Sequence, residues 1–208
     1  MYFLFSLFCV NNVICMKIFR FLLVLCGTLF ASMGLAGEID GMRFIHIGLE
    51  EGLSHSTIFG INQDKEGNLW FATYDGFNKY DGYNFTVYRH QYKNPKSIAS
   101  DITRCVVIDN DNRIWIGTRE GLSLYNHRKN EFSNFFYKKK GQNVTVRNIV
   151  PMQKDWLMLG TTEGILLFDV KGERFLNDTL SATLHSLKPL TLLRQDDDIF
   201  IGTKGKVY

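Results

Sequence analysis

The sequence LWFATYDG at residues 69–76 recurs further along the chain, and this recurrence decides the fold. The related stretches are IWIGTREG at 114–121, LMLGTTEG at 157–164 and a shorter IFIGTKG at 199–205. The repeats are 45, 43 and 42 residues apart, measured between their large apolar residues Trp70, Trp115, Met158 and Phe200. A period of this length, made of strand-forming residues, is typical of a β-propeller with one blade per repeat.

The first full repeat contains four short strands separated by three turn sequences. The strands are predicted at residues 57–62, 69–73, 77–80 and 83–88. The turns between them contain Gly with Asp or Asn, which favour tight hairpins. Four strands and three turns predict one four-stranded antiparallel blade. The sequence therefore predicts an all-β fold, a partial β-propeller with about three complete blades and part of a fourth. The predicted blades span about 53–90, 98–137, 143–176 and 184–208.

Several positions of the repeat have predicted structural roles. The large apolar residue of each second strand, such as Trp70 or Trp115, is expected to fill the space between neighbouring blades. The residue two positions later shares its face of the strand and is small, which lets the adjacent sheet approach. These small residues are Ala72, Gly117, Gly160 and Gly202. The turn glycines Gly76, Gly121 and Gly164 are expected to adopt backbone angles that other residues avoid.

Charge and composition are those of an ordinary globular protein, with 45% hydrophobic and 22% charged residues. Residues 1–36 contain Lys17 and Arg20 and no acidic residue, which leaves 22 basic and 21 acidic residues in the remainder. Because the basic and acidic residues nearly balance, the charge does not favour nucleic acid as a partner. We interpret the short basic run Lys138–Lys140 as a solvated loop between blades.

The first 36 residues resemble a signal peptide. Lys17 and Arg20 are followed by an apolar run at 21–33 and by the small residues of Gly34-Leu35-Ala36. The apolar run is short for a membrane span, and the layout predicts cleavage before Gly37. Met16 is an alternative start, which would make 1–15 an over-annotation. An uncleaved anchor and a lipoprotein modified at Cys26 are the competing interpretations.

The sequence shows no pattern typical of a metal, cofactor or catalytic site. None of the five histidines is spaced from another like a metal ligand, and Cys105 is the single cysteine beyond the leader. No cofactor is predicted. The chain is predicted not to be an enzyme.

The repeats resemble a known family over about residues 42–208, and the resemblance weakens toward the end. Gly52-Leu53-Ser54, Asp64, Gly67-Asn68-Leu69-Trp70 and Tyr80-Asp81-Gly82 together look like the two-component regulator propeller repeat. Asp109, residues 114–118 and Leu124-Tyr125 match in the second copy. In that family the repeats form the periplasmic sensor of hybrid two-component histidine kinases, common in gut Bacteroidetes. The resemblance implies an oligosaccharide ligand, a homodimeric parent anchored in the inner membrane, and control of genes for polysaccharide utilisation.

The 208 residues contain no kinase histidine motif and no glycine-rich ATP-binding motif. We therefore expect the chain to be the N-terminal piece of a longer sensor whose further blades and kinase lie elsewhere. Residues Met42–Ile47 resemble a fourth strand and are predicted to complete the last blade of a closed ring.

A ligand is expected on the turns between the second and third strands, which should cluster on one face of the disc. The candidate residues are Tyr74, Asp75, Arg119, Glu120, Thr162 and Glu163. Aromatic faces with hydrogen-bonding groups suit sugars. A secreted propeller enzyme acting on glycans and a protein-binding scaffold remain the alternatives, because a propeller fold alone does not decide function.

Overall fold

A computed structural model describes residues 44–153, 155–176, 184 and 186–208 of the chain. The predicted signal peptide at 1–36 lies outside these residues. Within them, residues from Ile47 to Tyr208 belong to one compact unit.

Each repeat folds into a separate antiparallel sheet in which strands pair in chain order. The first blade comprises β1 (Ile58–Gln63), β2 (Leu69–Thr73), β3 (Phe77–Tyr80) and β4 (Phe85–Tyr88). The second comprises β5 (Thr103–Ile108), β6 (Ile114–Thr118), β7 (Gly121–Asn126) and β8 (Glu131–Phe135). A small hairpin of β9 (Lys138–Lys139) and β10 (Gln142–Asn143) follows. The third blade comprises β11 (Val146–Pro151), β12 (Trp156–Thr161), β13 (Gly164–Asp169) and β14 (Arg174–Leu176). The last comprises β15 (Thr191–Gln195), β16 (Asp198–Thr203) and β17 (Lys206–Val207).

Three four-stranded sheets and one three-stranded sheet confirm the predicted fold class, a propeller with a shorter fourth blade. The first strands of the blades lie innermost, and β1 contacts β5, β5 contacts β11, and β11 contacts β15. This succession places the blades side by side around one axis.

Three apolar clusters lie between successive blades and hold them together. Trp70 and Phe77 of the first blade pack with Ile114 and Ile116 of the second. Trp115 of the second blade packs with Leu157 and Leu159 of the third, and Met158 of the third with Ile201 of the fourth. Alternate residues of each second strand therefore face opposite neighbours, because side chains alternate across a strand.

The large apolar residue of the repeat is buried in the first three blades and exposed in the fourth. Trp70, Trp115 and Met158 are 0%, 1% and 5% exposed, whereas Phe200 is 42% exposed. Phe200 lies on the outer side of the last blade, away from the Ile201 cluster. A β-carbon on Gly117 would lie 2.8 Å from the carbonyl oxygen of Val146 in the next blade. The small position therefore sits where two blades meet closely.

Two details add to the sequence-based expectations. Residues 44–48 form no strand, and the last blade that Met42–Ile47 is predicted to complete is not among the described sheets, so this strand stays a prediction. The basic run Lys138–Lys140 lies between the second and third blades and is partly exposed, as expected. Lys138 and Lys139 form β9, and Lys140 lies in the turn of the β9–β10 hairpin, with φ of 52° at Lys140 and 80° at Gly141.

Candidate functional site

The turns between second and third strands lie at the same end of each blade as the start of the first strand, because neighbouring strands run antiparallel. We call the surface formed by the turns 74–76, 119–120 and 162–163 the turn face. The six sequence-predicted residues Tyr74, Asp75, Arg119, Glu120, Thr162 and Glu163 lie on these turns.

A threonine shapes each of the three turns. The hydroxyl of Thr73 donates a hydrogen bond of 2.8 Å to the carbonyl oxygen of Gly76. Thr118 and Thr161 make the same bond to Gly121 and Gly164, at 3.0 and 2.6 Å. The three glycines have φ of 105°, 141° and 130°, angles that residues with a β-carbon rarely adopt. The turns therefore present their side chains from a fixed backbone.

The three acidic candidates are paired with neighbouring side chains. Asp75 accepts a hydrogen bond of 3.0 Å from Arg89, and this contact raises the pKa of Arg89. Glu120 accepts one of 3.1 Å from the Nδ2 of Asn143 on β10. Glu163 binds Lys139 of β9 at 3.1 Å, and this ammonium lowers the pKa of Glu163. These carboxylates brace the turns against the connections beside them.

Tyr74 belongs to a short row of aromatic side chains. Its ring lies 5.5 Å from the ring of His55 and 6.4 Å from that of Phe59, measured between centroids. Tyr74 is 48% and Phe59 38% exposed. The guanidinium of Arg104 lies over the ring of Phe59, 4.5 Å from its centroid. The row offers flat apolar surface beside a cation.

Phe59 and Arg104 were missed by the sequence analysis, and they occupy equivalent positions. The pairing of first and second strands shifts register between Ile58 and Gly60, between Thr103 and Cys105, and between Val146 and Asn148. The residue inside each shift is Phe59, Arg104 or Arg147. A β-bulge turns a side chain away from the regular alternation and is frequent beside functional sites. Each residue stands thirteen positions before the small residue of its repeat, so aligning the repeats would have revealed the set.

A cavity of about 440 Å³ opens on the turn face beside the second blade. It is lined by Arg119, Glu120, Lys138, Gly141, Gln142, Asn143 and Thr145. The Oδ1 atom of Asn143 is buried and accepts no hydrogen bond. The structure thus brings Arg119 and Glu120 together with the β9–β10 hairpin. Thr145 links this group to the third turn, because its hydroxyl donates a hydrogen bond of 2.9 Å to the carbonyl oxygen of Arg119 and its carbonyl accepts one of 3.1 Å from the N–H of Thr162.

The opposite ends of the strands carry acidic turns with structural roles. Asp64 and Asp109 lie in the turns between first and second strands and are 5% and 9% exposed. Arg113 binds Asp109 at 2.6 Å and reaches Asp155 of the next blade at 3.4 Å. These carboxylates hold the turns of the opposite face through hydrogen bonds and ion pairs.

Within the residues that the structure describes, no group of three or more His, Cys, Asp or Glu side chains is arranged to hold a metal ion. No helix in that part of the chain is long and apolar enough to cross a membrane.

Comparisons with known proteins point to one family. Residues 52–75 and 97–120 match the family model described as two component regulator propeller. Histidine kinase P4 from Formosa agariphila is 37% identical to the chain over 70 residues, which are 34% of this chain and 5% of that protein.

Solved structures from B. thetaiotaomicron are similar as well. One is described as the extracellular domain of a hybrid two component system, with 30% identity, a TM-score of 0.66, and coverage of 78% of this chain and 24% of that chain. Another, described as the extracellular domain of a one component system, has 24% identity, a TM-score of 0.57, and coverage of 75% and 20%. This second likeness shows the fold alone. The chain spans a quarter or less of the length of these relatives.

Proposed function

The chain carries the repeats of the two component regulator propeller family, and from this premise we propose that it is part of a sensor region outside the cytoplasm. The observation that carries the proposal is the 30% identity and shared fold with the extracellular domain of a hybrid two component system. We further propose a periplasmic location, reached through a signal peptide at 1–36, and a histidine kinase in another part of a longer polypeptide.

The proposed ligand is an oligosaccharide bound on the turn face. Tyr74, Phe59 and His55 form a partly exposed aromatic row, and aromatic rings pack well against the apolar faces of sugar rings. Arg119 and Thr162 supply hydrogen-bonding groups on the neighbouring turns. The acidic candidates Asp75, Glu120 and Glu163 are already paired, so in this proposal they hold the turns in place.

The two end faces of the blade array support further blades as partners. On the first blade, Ile61 is 57% exposed, and on the last blade Leu193 and Phe200 are 59% and 42% exposed. A blade buries its apolar face only against a neighbour, and repeat arrays need each end covered. We propose that additional four-stranded blades cover both faces, and that the parent protein signals as a homodimer. Ligand binding would then shift the balance between two states of that dimer.

Binding to the purified full-length protein tests the oligosaccharide proposal. Calorimetric titration with a panel of neutral and acidic oligosaccharides is expected to identify a ligand. Tyr74→Ala should weaken its binding roughly tenfold, as expected when an aromatic contact of about 1 to 1.5 kcal/mol is lost. Tyr83→Ala is the matched control, because Tyr83 is 89% exposed in a turn on the opposite face.

Two results would contradict the proposal. Equal weakening by Tyr74→Ala and Tyr83→Ala would place the ligand away from the turn face. Hydrolysis or elimination of an oligosaccharide during the titration, detected by chromatography, would favour an enzyme.

A further inference from the structure

The guanidinium of Arg104 differs from those of two other arginines, Arg89 and Arg113, in having no carboxylate partner among the described residues. Arg89 and Arg113 are each paired with a carboxylate, at 3.0 and 2.6 Å. Arg104 has no ion pair within the described part of the chain, and its Nε atom is buried with no hydrogen-bond partner. Its planar head is nevertheless held in place, because it lies 4.5 Å from the centroid of the Phe59 ring.

A second arginine occupies the equivalent position of the next blade. Arg104 stands in the bulge of β5 and Arg147 in the bulge of β11, and these two innermost strands contact each other. Like charges on adjacent strands repel, and an anion between them or beside them relieves that repulsion. The bulges therefore present two cations at one end of the propeller axis.

The chemistry of this arrangement selects the ligand. A guanidinium presents a planar fork of N–H donors that matches the two oxygens of a carboxylate or sulfate. Stacking on Phe59 fixes the plane of that fork before the ligand arrives. Tyr74 extends the aromatic surface next to Phe59, at 6.4 Å between ring centroids. An anionic group and an adjoining sugar ring would therefore find a donor fork and a flat apolar surface side by side.

We propose that Arg104 and Arg147 bind the carboxylate or sulfate group of an acidic saccharide, whose ring packs on Phe59 and Tyr74. This inference rests on the proposed oligosaccharide-sensing function and narrows it to acidic sugars. The nearby cavity, lined by Arg119 and Lys138, adds further positive charge on the same face. Its acidic member Glu120 is already hydrogen-bonded to Asn143.

Matched pairs of saccharides test the proposal on the full-length protein. One pair is a tetragalacturonate and its methyl ester, which removes the carboxylate charge. The other is a sulfated galactan tetrasaccharide and its desulfated form. Calorimetry is expected to show at least tenfold tighter binding of the charged member of one pair, with an affinity that falls as salt rises, and the pair that responds identifies the anion.

Substitutions at Arg104 provide a second test of the proposal. Arg104→Gln should remove the preference for the charged member, and Arg104→Lys should keep part of it, because lysine retains the charge without the planar fork. Arg128→Gln is the control, since Arg128 is exposed in a turn on the opposite face. Unchanged thermal unfolding of each variant would show that the fold is intact.

The possible failures are distinguishable. Equal affinity for charged and neutral members would overturn the preference for acidic sugars and leave the sensing proposal standing. A charge preference that survives in Arg104→Gln as it does in Arg128→Gln would overturn the assignment to Arg104. Binding of none of the four saccharides would count against both proposals.

Discussion

The indole nitrogen of Trp115 donates a hydrogen bond of 2.9 Å to the carboxylate of Asp109, which lies six residues earlier in the preceding turn. Trp70 makes the same bond to Asp64 at 2.7 Å in the first blade. Each tryptophan thus fills the space between two blades with its rings and satisfies its one polar group against its own turn. The pair links the turn to the second strand and explains how so large a side chain is buried at no cost in hydrogen bonding.

Removing one of these carboxylates should destabilise the protein strongly. Asp109→Ala leaves the buried indole N–H of Trp115 and the Nε of Arg113 without their acceptor. We expect a loss of about 2–4 kcal/mol in the free energy of unfolding of the full chain, measured by urea titration. Asp111→Ala in the same turn is the control, because Asp111 is 66% exposed and should change it by less than about 0.5 kcal/mol. Similar losses in the two variants would contradict this role.

The turn of the first blade predicts a dependence of stability on pH. Burial alone would raise the pKa of Asp64, but hydrogen bonds from Trp70 and Asn68 outweigh it and lower that pKa below its ordinary value. Because the folded pKa is the lower one, the carboxylate stabilises the fold above its unfolded pKa, roughly pH 4, and this contribution is lost as the pH falls through the folded value. Urea midpoints should therefore be flat from pH 7 to about pH 5 and fall below about pH 4.

Asp64→Asn serves as the comparison for that pH series. It removes the titrating group, so the variant should be less stable at pH 7 and should lose less stability on acidification than the natural chain. Parallel curves for the two proteins between about pH 5 and pH 2 would show that Asp64 does not contribute to the acid response.

The small position of the repeat should not tolerate a methyl group in the second blade. A β-carbon on Gly117 would overlap the sulfur of Cys105 and lie 2.8 Å from the carbonyl oxygen of Val146. Gly117→Ala should lower the free energy of unfolding by about 1–3 kcal/mol, because the neighbouring blade must move. In Gly60→Ala the nearest atoms to the new carbon are 3.5 Å away, so the change should stay within about 0.5 kcal/mol. A neutral Gly117→Ala would contradict the close approach of the blades.

Equivalent positions of the repeat should differ in their sensitivity to truncation. Trp115 is 1% exposed and Trp115→Ala should cost about 3–5 kcal/mol in urea unfolding. Phe200 occupies the same position in the last blade but is 42% exposed, so Phe200→Ala should cost less than about 1.5 kcal/mol in the 208-residue chain. In a longer polypeptide with another blade against Phe200, the loss in free energy of unfolding caused by Phe200→Ala should rise towards that caused by Trp115→Ala. Equal costs in the short and long proteins would count against further blades on this face.

The sequence was sufficient to predict the fold, because the residues that recur in each repeat are the ones that pack between blades. Trp70, Trp115 and Met158 recur at intervals that match one blade, and each lies between two blades in the structure. The strand at Met42–Ile47 stays a prediction, because its resemblance to other fourth strands is local and the blade that it would pair with is not among the described sheets. Residues that recur in several repeats therefore indicate how blades pack, whereas a resemblance found in one segment does not.

The site was only partly predictable. The turns with Tyr74 and Arg119 follow from the repeat, since turns between second and third strands must lie at one end of a blade. Pairing of Asp75 with Arg89 and of Glu163 with Lys139 joins residues 14 and 24 positions apart, and no local pattern indicates which acids are paired. The hairpin that borders the cavity beside Arg119 lies in the connection between the second and third blades, where the repeated residues make no prediction.

The amino-acid sequence by itself determined the number and order of the blades described here. The interval between repeats and the alternation of apolar residues along each strand follow from strand geometry, and both are visible in residues close together in the chain. Only the tertiary structure decided which side chains remain free to meet a ligand. The bulges at Phe59, Arg104 and Arg147 depend on how first and second strands pair, and the stacking of Arg104 on Phe59 joins two blades. Such contacts arise between segments distant in the chain, where register and packing select the partners.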